Sequence, residues 1–519
     1  MSGRVVTSVA VLIAWLAGLG MLVRREYFRP NIDRLAEAAL RVTPAAVFYA
    51  VLQGDKQVGF ASSTVDTSTA TIEQRDYLVA DIPVGGGVHR VTARTNVALT
   101  RMLRLKTFDV SVEADASPMH VAGEVVGDTV LRFAVDAGEN TKPDSQSLRL
   151  TGPILLPTLV PLAVALEEKP RVGKSYVLPI FDAATLGPKD VRLQIEAESL
   201  FVVNDSSVFD STSGQWHGVL PDTIRAWQVV SQSGAGVGGW VDEQGRLVAS
   251  NQLGFRLERR PYEVAFENWR RETDTTKGAD VAARSATAPR DRDVLETTAI
   301  AANKKLRRTV TQLRVRLGGV PLGGFALDGG RQRFAADTLT VTREDVAALA
   351  ARYFTIPEAQ RTRDDLKAEP FLEVDHREIK ALAERIADGS RDPRVVAERI
   401  NQWVFDSLKK EVTVGIPSAL HVLHTRVGDC NEHTQLYVAL ARAAGVPARI
   451  ASGLAYVDGK FYYHAWPEVM LRGWVAVDPT FGQFPADASH LRFVIGGLGQ
   501  QTELLRLVNG LTIDVVGMR

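Results

Sequence analysis

The sequence predicts an α+β protein, in which a mainly β N-terminal domain precedes a C-terminal domain of helices packed on an antiparallel sheet. Residues 46–269 alternate apolar and polar side chains in short runs that end at Gly, Asp or Asn, which is typical of antiparallel strands. Between residues 376 and 443, apolar side chains instead recur at three- and four-residue spacing, which is typical of amphipathic helices. Strand-like runs joined by tight-turn pairs follow these helices.

Five segments follow from these patterns and from local composition. They are a membrane anchor or signal at 1–30, a mainly β domain at 46–269, a charged linker at 270–298, a short β segment at 299–345 and the C-terminal domain at 346–519. The sequence of the β domain does not indicate its role.

Residues 5–23 carry no charge and are followed by Arg24 and Arg25. A helix of this length spans about 28 Å, close to the thickness of the hydrocarbon core of a bilayer. The run is longer than the core of a signal peptide and has no clear cleavage site after it, so we predict an uncleaved single-pass anchor, with a cleaved signal as the alternative. The arginines after the span favour a cytoplasmic C-terminal part. We nevertheless predict an extracytoplasmic location, because short N-terminal anchors commonly deliver exported domains.

The overall composition excludes some classes of partner. Lysine plus arginine and aspartate plus glutamate number 61 each, so no net charge is available to attract nucleic acid, and none is predicted as a partner. A single cysteine in 519 residues rules out an intramolecular disulfide. No acidic loop has the spacing of an EF-hand, and no cofactor or metal is predicted.

The single cysteine, Cys430, lies at the predicted start of a helix. Asp429 is a good N-cap residue, and Glu432 follows it at the spacing of a capping box. A thiol at a helix N-terminus is close to the positive end of the macrodipole, which favours the thiolate. Backbone amides at the same position could donate to an oxyanion. Cys430 is therefore a candidate nucleophile.

A base and an orienting group are predicted on a downstream hairpin. Arg472 and Gly473 mark a tight turn, with His464 on the strand before it and Asp478 on the strand after it. The midpoint between His464 and Asp478 is Leu471, beside that turn, so antiparallel pairing would bring carboxylate and imidazole together. The chain thus offers cysteine, histidine and aspartate in the order of a catalytic triad.

The motifs "GDC", "GVPARI", "HAWPEV" and "GWVAVDPT", in this order, resemble the transglutaminase-like superfamily of papain-type cysteine enzymes in its bacterial form. The resemblance covers roughly residues 371–493. It implies that Cys430 is the nucleophile, His464 the general acid and base, and Asp478 the residue that holds the imidazole tautomer. Family enzymes form a thioester from a glutamine side chain or a peptide carbonyl and pass the acyl group to an amine or to water. The implied partner is a protein or peptide substrate.

One departure from the family bears on the acyl acceptor. Asn431 occupies the position after the cysteine, where animal transglutaminases often have tryptophan. Water is therefore as good a candidate acceptor as a lysine amine, and the resemblance implies either a transglutaminase-like acyltransferase or a peptidase or amidase.

Two alternatives to this catalytic reading remain open. Four potential zinc ligands lie within a short stretch: His421, His424, Cys430 and His433. Their spacing matches no known zinc finger, and a metal there would leave the downstream histidine and aspartate without a role. The second alternative is a non-catalytic binding module that keeps the same fold.

Overall fold

The computed structural model describes residues 42–519 apart from 115–117, 137–143, 168, 183–185, 232–237, 253, 272–291, 308, 346–347, 350–363, 370 and 417. About 50% of the protein is strand and 21% is helix.

Fourteen strands form one antiparallel sheet. They are β1 (Ala45–Gln53), β2 (Lys56–Thr67), β3 (Thr71–Val84), β4 (Gly87–Thr100), β5 (Leu105–Glu113), β6 (Met119–Val126), β7 (Val130–Asp136), β8 (Asp144–Arg149), β9 (Ser175–Asp182), β10 (Gly187–Asp210), β11 (Gln215–Ser231), β12 (Gly239–Asp242), β13 (Leu247–Gln252) and β14 (Phe255–Arg260). Strands β1 to β8 and β9 to β14 each pair with their neighbours in sequence, and β1 pairs with β14 to join the two sets.

Alternating burial explains why these segments are strands. In β10, for example, Val191, Leu193 and Ile195 are fully buried, whereas Arg192 between them is exposed. The buried side of this strand packs on helix α1 (Val160–Glu167), which follows a 3₁₀ turn at Pro157–Leu159 in the connection from β8 to β9.

Three smaller sheets and six further helices form the rest of the described structure. The strands are β15 (Ile300–Ala301), β16 (Gln312–Gly318), β17 (Gln332–Ala335), β18 (Thr338–Thr342), β19 (Lys409–Lys410), β20 (Val427–Gly428), β21 (Ala448–Val457), β22 (Lys460–Met470), β23 (Trp474–Ala476), β24 (His490–Ile495) and β25 (Thr512–Met518). The helices are α2 (Val294–Thr298), α3 (Arg377–Ala387), α4 (Pro393–Ser407), α5 (Ala419–Thr425), α6 (Cys430–Ala443) and α7 (Leu498–Gln501), with 3₁₀ turns at Asp364–Leu366 and Thr502–Leu507 and a π turn at Glu263–Glu267.

The five-stranded sheet supports the C-terminal domain. Four of its strands run in the order β15-β22-β21-β24. Strand β15 pairs with the start of β22, and β23 pairs with the end of β22. A four-stranded sheet has the order β17-β18-β16-β25, and β19 pairs with β20 in parallel. Strands β21 and β22 lie beside α6.

Helix α6 is the central element of the C-terminal core. It packs against α3, α4 and α5 on one side and against β21 and β22 on the other. Leu436, Tyr437, Val438 and Leu440 are fully buried in this core. Because the helix is enclosed on both sides, its N-terminal residue has a fixed position relative to the sheet.

The α+β class predicted for the chain is wrong. Strands outweigh helices more than twofold, and a 14-stranded antiparallel sheet dominates the fold, so the protein is mainly β. The strands of the N-terminal part are long, up to 24 residues in β10, and they join one continuous sheet. Within the described residues, several helices pack on one antiparallel sheet in the C-terminal part, whereas the large N-terminal sheet carries the single helix α1 and short helical turns.

The predicted membrane localisation is also corrected. Within the ranges described above, no helix has the length and apolar character needed to cross a bilayer. Residues 5–23, on which the anchor was predicted, lie outside those ranges. The single-pass, extracytoplasmic assignment is therefore not carried further.

The predicted linker is described only at its ends. Residues 272–291 lie outside the described structure, and the remainder includes Asp293, whose Oδ1 accepts the backbone N–H of Leu295 at 2.9 Å and caps α2. The other carboxylate oxygen of Asp293 accepts the Gly86 N–H at 2.6 Å. This segment therefore contacts the turn between β3 and β4.

Candidate active site

Cys430 is the first residue of α6, where the sequence predicts it. Asp429 Oδ1 accepts the Asn431 N–H at 2.9 Å, and Glu432 Oε2 accepts the Asp429 N–H at 2.9 Å, which completes the predicted capping box. Position 428, just before them, requires glycine, because a Cβ there would lie 2.2 Å from the Cβ of Glu432. The residues around Cys430 thus begin the helix at this position.

The surroundings of the Cys430 sulfur differ from the predicted ones. Cys430 as a whole is partly exposed, but protein encloses its sulfur. Burial raises the pKa of the Cys430 thiol well above its usual value, and the negative charge of Asp429 raises it further, against a hydrogen bond from the Ala465 N–H that lowers it. Burial and the negative charge of the capping carboxylate thus raise the pKa of the thiol against the macrodipole, which favours the thiolate. The thiol needs a base.

His464 and Asp478 form the predicted pair. His464 Nε2 lies 2.8 Å from Asp478 Oδ2, and both side chains are buried. Asp478 Oδ1 accepts the N–H groups of Thr480 and Phe481 at 2.7 and 3.0 Å. Burial alone would raise the pKa of Asp478, but the histidines beside it hold that pKa well below its usual range. Because an ionised carboxylate only accepts, Nε2 of His464 carries the proton and Nδ1 remains to act as a base.

The backbone beside His464 connects the pair to the cysteine. Ala465, the next residue of β22, donates its N–H to the Cys430 sulfur, and α6 packs on the same strand. The structure thus brings Cys430, His464 and Asp478 to one place, at the N-terminus of α6 against β22.

The hairpin reaches this geometry in a different register from the predicted one. Pairing of β22 with β23 is centred on Arg472, one residue beyond Leu471. Strand β23 ends at Ala476, so Asp478 lies beyond the ladder, in a turn where its backbone N–H and C=O bond to Gln483 at 2.9 and 2.8 Å. The carboxylate therefore approaches the imidazole from a turn and not from a paired strand.

Sequence reasoning missed two residues behind the pair, His490 and Asp487. His490 Nε2 lies 2.9 Å from the same Oδ2 of Asp478, and its Nδ1 lies 3.3 Å from Asp487 Oδ1. The available signal was the short run "DASH", which places a carboxylate and an imidazole three residues apart. Its link to Asp478 depends on the pairing of β24 with β21, which no local motif indicates.

Two aromatic rings contact the imidazole of His464. The ring of Phe481 stacks on it with centroids 4.8 Å apart and planes 8° apart, and Phe481 remains 40% exposed. The ring of Trp466 lies 6.0 Å away at 25° and is buried. These contacts restrict rotation of the imidazole, and Phe481 gives the site an exposed aromatic surface.

The zinc alternative finds no support in the described residues. There, the potential ligand atoms that lie together, within 4.8 Å, belong to His464, Asp478 and His490, and they are already hydrogen-bonded to one another. His424 instead pairs with Glu378 at 2.9 Å on the surface. His433 is buried, with Nδ1 donating to the Asp429 carbonyl at 2.6 Å. We assign no metal to either group.

Comparisons with known proteins match the part of the chain that contains these residues. The family model of the transglutaminase-like superfamily matches residues 380–479. An uncharacterized protein of Haemophilus influenzae is 30% identical over 135 residues, which are 24% of this chain and 36% of that relative. The chain therefore matches only about a third of the length of that relative.

Two solved structures are similar over longer stretches but at low scores. A presumptive cysteine protease from Cytophaga hutchinsonii has 16% identity and a TM-score of 0.27, over 40% of this chain and 86% of its own. A presumptive protease from Parabacteroides distasonis has 11% identity and a TM-score of 0.18, over 72% of this chain and 68% of its own. The match to the transglutaminase-like superfamily therefore rests on the family model, whose residues 380–479 include Cys430, His464 and Asp478.

Proposed function

We propose that the C-terminal domain catalyses acyl transfer through a thioester on Cys430. The observation that carries this proposal is the buried His464–Asp478 pair at 2.8 Å, on the strand whose next residue, Ala465, donates to the Cys430 sulfur. A thiol with a raised pKa, beside an imidazole oriented by an ionised carboxylate, has the parts of an activated nucleophile.

The proposed reaction has two halves. His464 Nδ1 takes the thiol proton, and the sulfur attacks the carbonyl carbon of an amide to form a tetrahedral intermediate. The His464 imidazolium then gives its proton to the leaving nitrogen as the C–N bond breaks, which leaves a thioester and ammonia or an amine. In the second half His464 takes a proton from the acceptor, which attacks the thioester, and the imidazolium returns that proton to the sulfur as the C–S bond breaks.

The first turn of α6 offers fewer oxyanion donors than its sequence suggests. The Asn431 N–H already donates to Asp429 at 2.9 Å. An oxyanion formed at the sulfur must therefore use other donors or displace this bond.

The proposed substrate is a protein or peptide, attacked at a glutamine carboxamide or a peptide amide. The acceptor decides between two classes of enzyme. An amine acceptor makes the enzyme a transglutaminase-like acyltransferase, and a water acceptor makes it an amidase or peptidase.

Alkylation of the thiol tests the catalytic site without a known substrate. Because Cys430 is the only cysteine, iodoacetamide labelling of the full chain reports on it alone, and Cys430→Ala provides the blank. We expect alkylation at pH 7 to depend on His464 as the base for the thiol and to slow by roughly tenfold or more in His464→Ala. An ordinary thiol profile that His464→Ala leaves unchanged would refute the catalytic proposal and leave the binding-module alternative.

A second assay separates the two acceptors. The full chain is incubated with dimethylcasein and monodansylcadaverine, and both dansyl incorporation and ammonia release are measured. Incorporation that Cys430→Ala abolishes identifies amine transfer, whereas ammonia or new peptide ends without incorporation identify hydrolysis.

A further inference from the structure

The carboxylate that orients His464 is shared with a second histidine. His490 Nε2 lies 2.9 Å from Asp478 Oδ2, and His464 Nε2 lies 2.8 Å from the same oxygen. His490 is 1% exposed and Asp478 is fully buried, so water does not compete for this oxygen. His490 is thus a fourth ionisable group, which follows Cys430, His464 and Asp478 and contacts the last of them.

Asp487 fixes the other side of the His490 ring. Asp487 Oδ1 lies 3.3 Å from His490 Nδ1 and also accepts the Ser489 N–H and hydroxyl at 2.9 and 2.6 Å. Both ring nitrogens of His490 thus face carboxylate oxygens. Because ionised carboxylates only accept hydrogen bonds, both nitrogens must donate, and the ring carries a positive charge.

The charged groups that face His490 agree with this assignment. They are Asp478 and Asp487, with the His464 ring 5.7 Å away; the other rings beside it, Trp466 and Phe481, are uncharged. Burial would lower the pKa of His490, but hydrogen bonds and attraction from the two carboxylates raise it to about 9. The same contact, against the effect of burial, lowers the pKa of Asp487 to about 2.

Arg331 contacts the backbone of the turn that carries Asp487. Arg331 donates to the backbone oxygens of Ala486 and Asp487 at 2.9 and 2.6 Å, which holds the turn that carries Asp487. Arg492, also on β24, is paired with Glu468 at 2.9 Å and is thereby neutralised.

We propose that His490, fixed by Asp487, is a positioning residue that balances the charge of Asp478 and keeps His464 able to release its proton. This inference rests on the proposed function. If Asp478 served His464 alone in a buried site, their attraction would hold the imidazolium and make it a poor acid for the leaving nitrogen. A fixed positive charge on the opposite side of Asp478 weakens that attraction and repels a second positive ring.

The test is the pH dependence of Cys430 alkylation by iodoacetamide in the full chain. Cys430 and His464 lose their protons in two coupled steps that belong to the pair and not to either residue, one at lower and one at alkaline pH, and alkylation reports both. In His490→Gln we expect the alkaline step to move upward by about two pH units, as a unit charge about 6 Å away produces at an effective dielectric constant of about 20. Asp487→Asn should move it in the same direction by less.

His120→Gln is the matched control. His120 lies 2.7 Å from Asp109 in an exposed histidine–carboxylate pair on the β domain, and its replacement should leave both steps unchanged. Folded variants, verified by circular dichroism, are compared at the same temperature and ionic strength.

The outcomes distinguish a failure of this inference from a failure of the proposed function. A wild-type profile with two steps that His490→Gln leaves in place would overturn this inference while leaving the proposed function intact. An ordinary thiol profile in the wild type would overturn both. If His490→Gln fails to fold, the NMR chemical shifts of the His490 ring nitrogens are measured in the wild type at pH 7.5. They show whether one or both nitrogens are protonated. Two protonated nitrogens together with a shifted step in Asp487→Asn support the inference, and a neutral ring overturns it.

Discussion

His490 should make the stability of the C-terminal domain depend on pH in the alkaline range. The perturbation is His490→Gln, which removes the positive charge between Asp478 and Asp487 and keeps a hydrogen-bond donor. Because folding raises the pKa of His490, the stability that its charge contributes is fully present below pH 6.5, the ordinary value for histidine, and is lost as the pH rises through about 9.

The structure sets the size of this effect. The interval from 6.5 to about 9, at about 1.4 kcal/mol per pH unit, corresponds to about 3 kcal/mol of unfolding free energy. The unfolding free energy of the wild type should therefore exceed that of His490→Gln at pH 6. This excess should be about 3 kcal/mol larger at pH 6 than at pH 9.5. Folding also lowers the pKa of Asp487 to about 2. The wild type should therefore lose stability as the pH falls from about 4 towards 2.

Urea unfolding of both proteins at pH 6, 7.5 and 9.5 measures this difference. Groups elsewhere in the chain titrate equally in both, so they cancel in the comparison. Trp466, whose ring lies 5.2 Å from His490, contributes a local fluorescence signal. A difference between the two proteins that stays constant from pH 6 to pH 9.5 would show that His490 is neutral and would refute the reasoning.

Three further substitutions have expected effects. Gly428→Ala places a methyl group 2.2 Å from the Cβ of Glu432, so it should break the capping box, cost about 1 to 2 kcal/mol of unfolding free energy and slow Cys430 alkylation at pH 7. Gly453→Ala places one 2.0 Å from a backbone oxygen of β24, so it should lower the melting temperature by several degrees. Asp478→Asn keeps the shape but removes the charge that orients the imidazole, so it should slow acyl transfer by roughly 100-fold or more, as measured by ammonia release or dansyl incorporation.

Gly473→Ala is the control for the glycine substitutions, because a Cβ at that position meets no atom within 4 Å. It should unfold at the wild-type urea concentration. If Gly428→Ala or Gly453→Ala behaves like this control, the close approaches described here do not constrain the fold. If Asp478→Asn retains wild-type turnover, the aspartate does not orient the base.

Local sequence patterns were sufficient to predict where helix α6 begins. Asp429 and Glu432 form the capping box that their spacing predicts, and Cys430 follows at the first helical position. Capping involves only neighbouring residues, so a short sequence contains all the partners. The same locality applies to the alternation of β10, which predicts a strand with one buried side.

Charge and register at the site needed the tertiary structure. The helix N-terminus predicts a stabilised thiolate, but burial and the capping carboxylate raise the pKa of Cys430 instead. The turn pair predicts that His464 and Asp478 lie opposite each other in a ladder, but the ladder ends at Ala476 and the aspartate approaches from a turn. Both depend on what surrounds a group in space, which spacing along the chain does not specify.

The amino-acid sequence by itself therefore determined which residues are candidates for chemistry and which short elements carry them, because periodicity, caps and turns are local properties. Only the tertiary structure decided that fourteen strands join one sheet, which makes the protein mainly β. It also decided that β24 pairs with β21 and so brings His490 to the carboxylate that His464 uses. Strand order and the sharing of one buried oxygen arise from contacts between distant segments, and such contacts form only when the whole chain packs.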